Sequence, residues 1–152
     1  MRITIGADHR GFNLKQQIAG WLKSQGHEVA DVGTTSTEST DYPLFAAQVA
    51  RKVAQGEADR GILVCATGVG MCITANKVRG VRATVAYDED VARASRQHNN
   101  VNVLCMGERL TPEAAQQIVQ TWLTTEFEGG RHSRRLGEIA DVEQSECGVS
   151  RG

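Results

Sequence analysis

The sequence predicts an α/β fold, a Rossmann-like three-layer sandwich with a five-stranded parallel sheet. Three observations predict it: short apolar or alternating runs recur along the whole chain, each is followed by a stretch with helical spacing, and glycine or polar turns separate the two. Strands that alternate with helices close as βαβ units, which bury a parallel sheet between two helical layers.

The first strand is read at Arg2 to Ala7, where Ile3 and Ile5 alternate with smaller residues. Leu14, Ile18, Trp21 and Leu22 then fall on one face of a helix that Gly26 closes. A second strand, His27 to Val32, leads into a polar loop, Gly33 to Thr40, long enough to form part of a site. Pro43 suits the first turn of the next helix, whose apolar stripe is Tyr42, Phe45, Ala46, Val49 and Val53. Gly61 to Cys65 is a continuous apolar run, the pattern of an inner parallel strand. After the turn at Gly68 and Gly70 comes a helix to about Val78, then a strand at Val81 to Ala86 and a helix that Asp88 caps, reaching Gln97. Asn102 to Met106 is the fifth strand, and Thr111 with Pro112 opens a helix carrying Ile118, Val119, Trp122 and Leu123 inward. The last helix is read from Ser133 to Glu146. One domain, 1–146, is expected, with a flexible tail at 147–152.

At 152 residues, 40% of them apolar, the chain can bury the core of a single domain. A formal net charge of −1 gives no general attraction to nucleic acid or to an anionic membrane. No apolar run reaches membrane-spanning length, and the N-terminus enters a strand pattern without a charged and apolar leader, so a cytoplasmic protein is expected. Cys65, Cys72, Cys105 and Cys147 are too widely spaced for a disulfide framework, and with His9, His27, His98 and His132 they form no close pair at zinc-ligand spacing. No metal and no cofactor is expected.

Four places carry chemistry. Cys65 ends a buried strand before a glycine turn and a helix N-terminus. Taken alone it reads as a small buried hydrophobe, whereas its position favours the thiolate, the reactive form of cysteine. The turn Gly68-Val69-Gly70 lacks both the third glycine of a dinucleotide fingerprint, replaced by Ile73, and a Walker lysine, so it is either a tight turn or an anion cradle. Asp8 and His9 end the first strand at the same sheet edge, where they suit acid–base work, phosphate contact or simple capping. His98, followed by Asn99 and Asn100, lies before the fifth strand and so at the opposite edge; within one chain it reads as a helix C-cap, and only a second subunit would bring it to the site. Finally, Arg131 and Arg135, spaced i,i+4 after Gly129-Gly130, either decorate a solvated helix face or fork onto a phosphate.

Together these residues resemble the type B ribose-5-phosphate isomerases, a family with galactose-6-phosphate and allose-6-phosphate isomerase relatives. The resemblance runs through Asp8-His9 with Gly11, Thr40-Asp41-Tyr42-Pro43, Cys65 to Gly70, Ala75-Asn76-Lys77, Ser95-Arg96-Gln97-His98-Asn99, and Gly129-Gly130-Arg131-His132 with Arg135. It implies a metal-independent aldose–ketose isomerase of pentose phosphate metabolism working through a cis-enediolate, with ribose 5-phosphate and ribulose 5-phosphate as its pair. By this similarity Cys65 is the base, His98 helped by Asp8 opens the furanose ring, and Thr67, Gly68, Val69 and Gly70 hold the oxyanion in a substrate-binding loop that includes Ala66. His9, Arg109, Arg131 and Arg135 would surround the phosphate, and Asn99 would touch sugar hydroxyls. It further implies a homodimer with shared active sites, with a tetramer left open. One branch of the family replaces the cysteine with a glutamate after the second loop glycine; Met71 stands there, which leaves Cys65 as the base of this loop, although Cys72 and Thr74 depart from the usual pattern. A hexose 6-phosphate substrate, allose or galactose, and a non-catalytic sugar-phosphate-binding regulator are the alternatives.

Overall fold

The computed structural model describes residues 1–148. Five parallel strands, β1 (Arg2–Ala7), β2 (Glu28–Asp31), β3 (Arg60–Cys65), β4 (Ala83–Val85) and β5 (Val103–Gly107), form one sheet in the order β2-β1-β3-β5-β4. The expected architecture is therefore present. Alternation along the three central strands divides the core in two. Ile3, Ile5, Ala7, Ile62, Val64, Leu104 and Met106 face α1 (Phe12–Ser24), α4 (Glu89–Asn99) and α5 (Pro112–Thr124), while Leu63, Cys65, Val103 and Cys105 face α2 (Tyr42–Ala54) and α3 (Val69–Ala75). A final helix, α6 (Arg131–Glu146), buries a single side chain, His132, and leaves Ile139 and Val142 exposed at 50% and 63%.

The predicted caps form: Asp88 Oδ1 accepts from the Val91 N–H at 2.8 Å, and Thr111 Oγ1 from the Ala114 N–H at 3.2 Å. Element ends differ from expectation where side chains intervene. α3 stops at Ala75 rather than Val78 because the Asn76 amide pairs with the Ala83 backbone in both directions, at 3.0 and 2.8 Å, which folds the chain back into β4. β4 shrinks to three residues because the Val81 N–H donates back to the Val78 carbonyl and the Arg82 N–H is taken by Asn102 Oδ1. Of the tail set apart at 147–152, Cys147 closes α6 by donating its N–H to Glu143 and Gln144 carbonyls, and positions 149–152 lie outside the described residues. No described helix is long and apolar enough to cross a membrane.

Two close approaches set the height of the helices over the sheet. A Cβ on Gly61 would stand 2.6 Å from Val49 Cγ1, and one on Gly6 3.0 Å from Val49 Cγ2, so these glycines let α2 settle onto the strands. Gly11, just before α1, is tighter: its Cβ would lie 2.2 Å from the Val64 carbonyl oxygen. Gly11→Ala is expected to cost about 3 kcal/mol through overpacking against backbone. Urea unfolding measures it, and an unchanged midpoint would contradict the close contact.

Candidate active site

The central strands end flush. Ala7 pairs with Val64 and Cys65 with Gly107, so Asp8, Cys65 and the Glu108-Arg109 turn sit side by side at the carboxyl edge, where ligands enter parallel sheets. Cys65 is only 4% exposed, and its Sγ accepts the Gly68 N–H at 3.1 Å. That bond ties the sulfur to the start of the glycine turn. Gly68 adopts φ +84°, a left-handed conformation that glycine takes without strain, and a Cβ there would also press on the Met106 backbone at 3.1–3.2 Å.

The loop's donors divide their work. Gly68 N–H goes to Cys65, and Val69 N–H goes to Thr67 Oγ1 at 3.2 Å. The next first-turn N–H groups, of Gly70 and Met71, have no intrahelical partner by helix geometry. Over Gly70 lies the Tyr42 ring, so close that a Cβ would come within 2.5 Å of it. Tyr42 was read from its spacing as part of an apolar stripe; it is instead 40% exposed and roofs the glycine turn.

Asp8 is buried at 5%, and its Oδ1 accepts the N–H groups of Arg10 and Gly11, both at 3.0 Å. It closes the tight turn before α1 from inside the protein, whereas the helix itself has Gly11 as its N-cap and no side-chain cap, so the capping expected of Asp8 is of the turn and not of the helix. His9 and Thr40 clasp reciprocally: the His9 N–H donates to Thr40 Oγ1 at 3.2 Å, and the Thr40 N–H donates to His9 Nδ1 at 3.1 Å. Nδ1 is thereby the acceptor, which leaves Nε2 to carry the proton of the neutral ring. The clasp fixes the 33–40 loop beside the site, and Lys15 anchors the loop's other end, with Nζ donating to Asp31 at 2.8 Å and to the Thr34 carbonyl at 2.9 Å. On the β4 and β5 side of this edge a cavity of about 440 Å³ opens, lined by Ala66, Thr67, Tyr87, Gly107 and Arg109 among others but not by Cys65, Asp8 or His9. Beside it, Arg10 pairs with Glu108, Nε to Oε2 at 3.0 Å.

The remaining predicted residues lie elsewhere. His98 and Asn99 end α4, which descends from the carboxyl edge to the amino edge of the sheet over 11 residues, roughly 16 Å at the helical rise. There the His98 ring stacks on His132, centroids 4.6 Å apart with 17° between planes. Arg131 and Arg135 flank His132 on the first turns of α6. Burial above all, then the neighbouring Arg131 and His98, holds the His132 imidazole below its usual range. One chain thus brings Asp8, His9, Cys65 to Gly70 and Arg109 together, and sets His98, Asn99, Arg131 and Arg135 apart from them.

Comparison with known proteins identifies the family. Residues 3–139 match the family model described as Ribose/Galactose Isomerase. The chain is 51% identical to Ribose-5-phosphate isomerase B of Escherichia coli over 144 residues, covering 94% of this chain and 97% of that protein. It is 40% identical to a D-erythrulose-4-phosphate isomerase of Pectobacterium atrosepticum, covering 96% and 97%. The solved structure of Clostridium thermocellum Ribose-5-Phosphate Isomerase B superposes with a TM-score of 0.94 at 51% identity, over 95% of this chain and 99% of that one. On sequence and fold alike, the chain belongs to the ribose/galactose isomerase family.

Proposed function

We propose that this sugar-phosphate isomerase interconverts ribose 5-phosphate and ribulose 5-phosphate through a cis-enediolate, in a site built from two copies of the chain. The observation that carries the reading is Cys65, a buried sulfur at a strand tip that receives a backbone N–H and faces a glycine turn. In the open-chain aldose, the Cys65 thiolate takes the proton from C2, and electrons move onto the C1 carbonyl oxygen. The same thiol returns the proton to C1, while the hydroxyl proton passes from O2 to O1, and the ketose results. Charge that builds on oxygen is met by Thr67 and the Gly70 N–H, while the N–H groups of Gly68 and Val69, which hold Cys65 Sγ and Thr67 Oγ1 in the resting site, turn to the oxygen as charge develops; donors of this kind are usually the largest single term in lowering such a barrier. Ala66 lines the same loop.

Before that step the furanose ring must open, which needs a proton to leave the anomeric hydroxyl and one to reach the ring oxygen. His98 serves, assisted by Asp8, provided that His98 of one protomer reaches the Cys65 edge of its partner. Asn99 arrives with it and contacts sugar hydroxyls. His9 and Arg109 from one chain and Arg131 and Arg135 from the other then enclose the phosphate, whose binding energy orients the reacting carbons. The exposed apolar side chains of α6 favour such a homodimer, because an unpaired apolar helix face is a surface that seeks a partner. No cofactor enters the scheme.

Purified protein, assayed with EDTA on ribose 5-phosphate, allose 6-phosphate, galactose 6-phosphate and erythrulose 4-phosphate in parallel, tests the reading. Turnover is expected on the pentose. Turnover confined to another sugar would keep the mechanism and change the substrate; none on any would favour a regulator that binds sugar phosphates without reaction.

A further inference from the structure

Beyond the isomerisation itself, we infer that His98, Glu128 and His132 form a binding site for a first-row divalent cation, zinc above all, and that occupation of this site inhibits the enzyme. One ligand atom from each of the three lies within 4.8 Å of the others. Two backbone contacts build the arrangement. The Glu128 N–H donates to the Gln97 carbonyl at 3.1 Å, which seats the 126–130 segment on the end of α4 beside His98. Gly129 and Gly130, both at positive φ, then turn the chain so that His132 follows Glu128 by four residues and faces it, with Nε2 3.6 Å from Oε2.

A second observation points to an absent ligand. His132 is 6% exposed, and its buried Nε2 has no hydrogen-bond partner, which leaves a desolvated nitrogen directed at a carboxylate that is too far for a good bond. An ion between them would satisfy both. Two imidazoles and one carboxylate are a familiar donor set for zinc, and three protein ligands leave a fourth position for water or a sugar oxygen. Tetrahedral zinc with bonds of about 2.1 Å holds its donors about 3.4 Å apart, so binding draws the three side chains together and turns the His98 ring out of its stack on His132, because parallel rings do not aim their in-plane lone pairs at one point. Arg131 and Arg135 oppose a cation, but both are exposed to solvent that screens them, and Glu128 supplies the compensating charge.

Cysteine and histidine spacing alone missed this cluster, because one ligand is a glutamate and another comes from a different helix. The inhibition, though not the binding, rests on the ring-opening role proposed for His98, since a metallated imidazole has lost the lone pair that moves protons.

The test titrates the full chain with Co²⁺, followed by its visible spectrum, and then displaces it with Zn²⁺. Saturation at one equivalent is expected, with the d–d bands of nitrogen and oxygen ligation and without the near-ultraviolet band of a cobalt–thiolate bond. Glu128→Gln and His132→Asn should each weaken binding roughly tenfold or more, as the loss of a ligand must exceed the loss of an outer-shell partner. Glu128 is half exposed, so its variant keeps the fold if the buried His132 variant does not. Absence of saturable binding, a thiolate band, or affinity unchanged in Glu128→Gln would overturn the site. Zinc that binds there while leaving turnover intact would keep the site and overturn the inhibition, and with it the role of His98. A protein without isomerase activity would refute the proposed reaction, while the cobalt spectrum would still decide the metal site.

Discussion

Cys65→Ser should lower kcat by about a thousandfold while leaving the binding of ribose 5-phosphate within a few-fold of the parent, in line with the worth of a positioned general base of roughly 10²–10⁴. Serine fills nearly the same volume and can accept the Gly68 N–H that now reaches Cys65 Sγ at 3.1 Å, so the turn keeps its shape. What it lacks is an anion accessible near neutral pH. Turnover and calorimetric binding on the same preparation separate the two effects. Activity within tenfold of the parent would move the base elsewhere.

The rival thiol is Cys72. Its hydrogen bond with Cys105, more than any other contact, brings it down to about 7, while burial raises Cys105, so that Cys105 keeps the proton. Yet the Cys72 sulfur lies under α3, 3.5 Å from the Ala83 carbonyl, away from the strand tips. A thiol reagent used at neutral pH would therefore find Cys72 readily, and inactivation by alkylation would say little about Cys65, which is nearly fully buried. Substitution is the sound experiment.

The second large effect is a gain. Chains carrying Cys65→Ser and chains carrying His98→Asn should each be nearly inactive alone. Unfolded together and refolded as a mixture, they should recover about a quarter of the parent activity, because in a twofold dimer half the pairs are mixed and each mixed pair has one intact site. A single chain spans only roughly 16 Å of α4 between the two groups of residues, but it spans it in the wrong direction. Failure to recover activity from two well-folded variants would mean that one chain supplies the whole site.

Much of this was legible in the residues. The apolar run ending at Cys65, the Gly68 turn and the Asp8-His9 strand tip were found because a parallel sheet sends every strand's carboxyl end to one edge, a rule that needs only local pattern. His98 was placed correctly at the far edge by the same rule. Harder to see were residues whose role depends on contacts across the fold. Tyr42 has the spacing of a core residue, and only the approach of α2 to α3 turns its ring onto Gly70. Glu128 lies among polar neighbours, and only its backbone bond to Gln97 sets it beside His98. The ends of α3 and β4 shifted for a like reason, since one asparagine amide, Asn76, outcompetes helical propensity at that point.

The glycines beneath α2 give the pocket an unexpected controlling dimension. Tyr42 begins the helix whose Val49 rests on Gly6 and Gly61, so the ring that roofs the Gly70 turn is hung from residues two helical turns away. A methyl group added under Val49 would tilt a rigid rod and raise its far end. In the proposed isomerase, the height of the roof over the turn is thus written in the floor of the sheet, two turns of helix away.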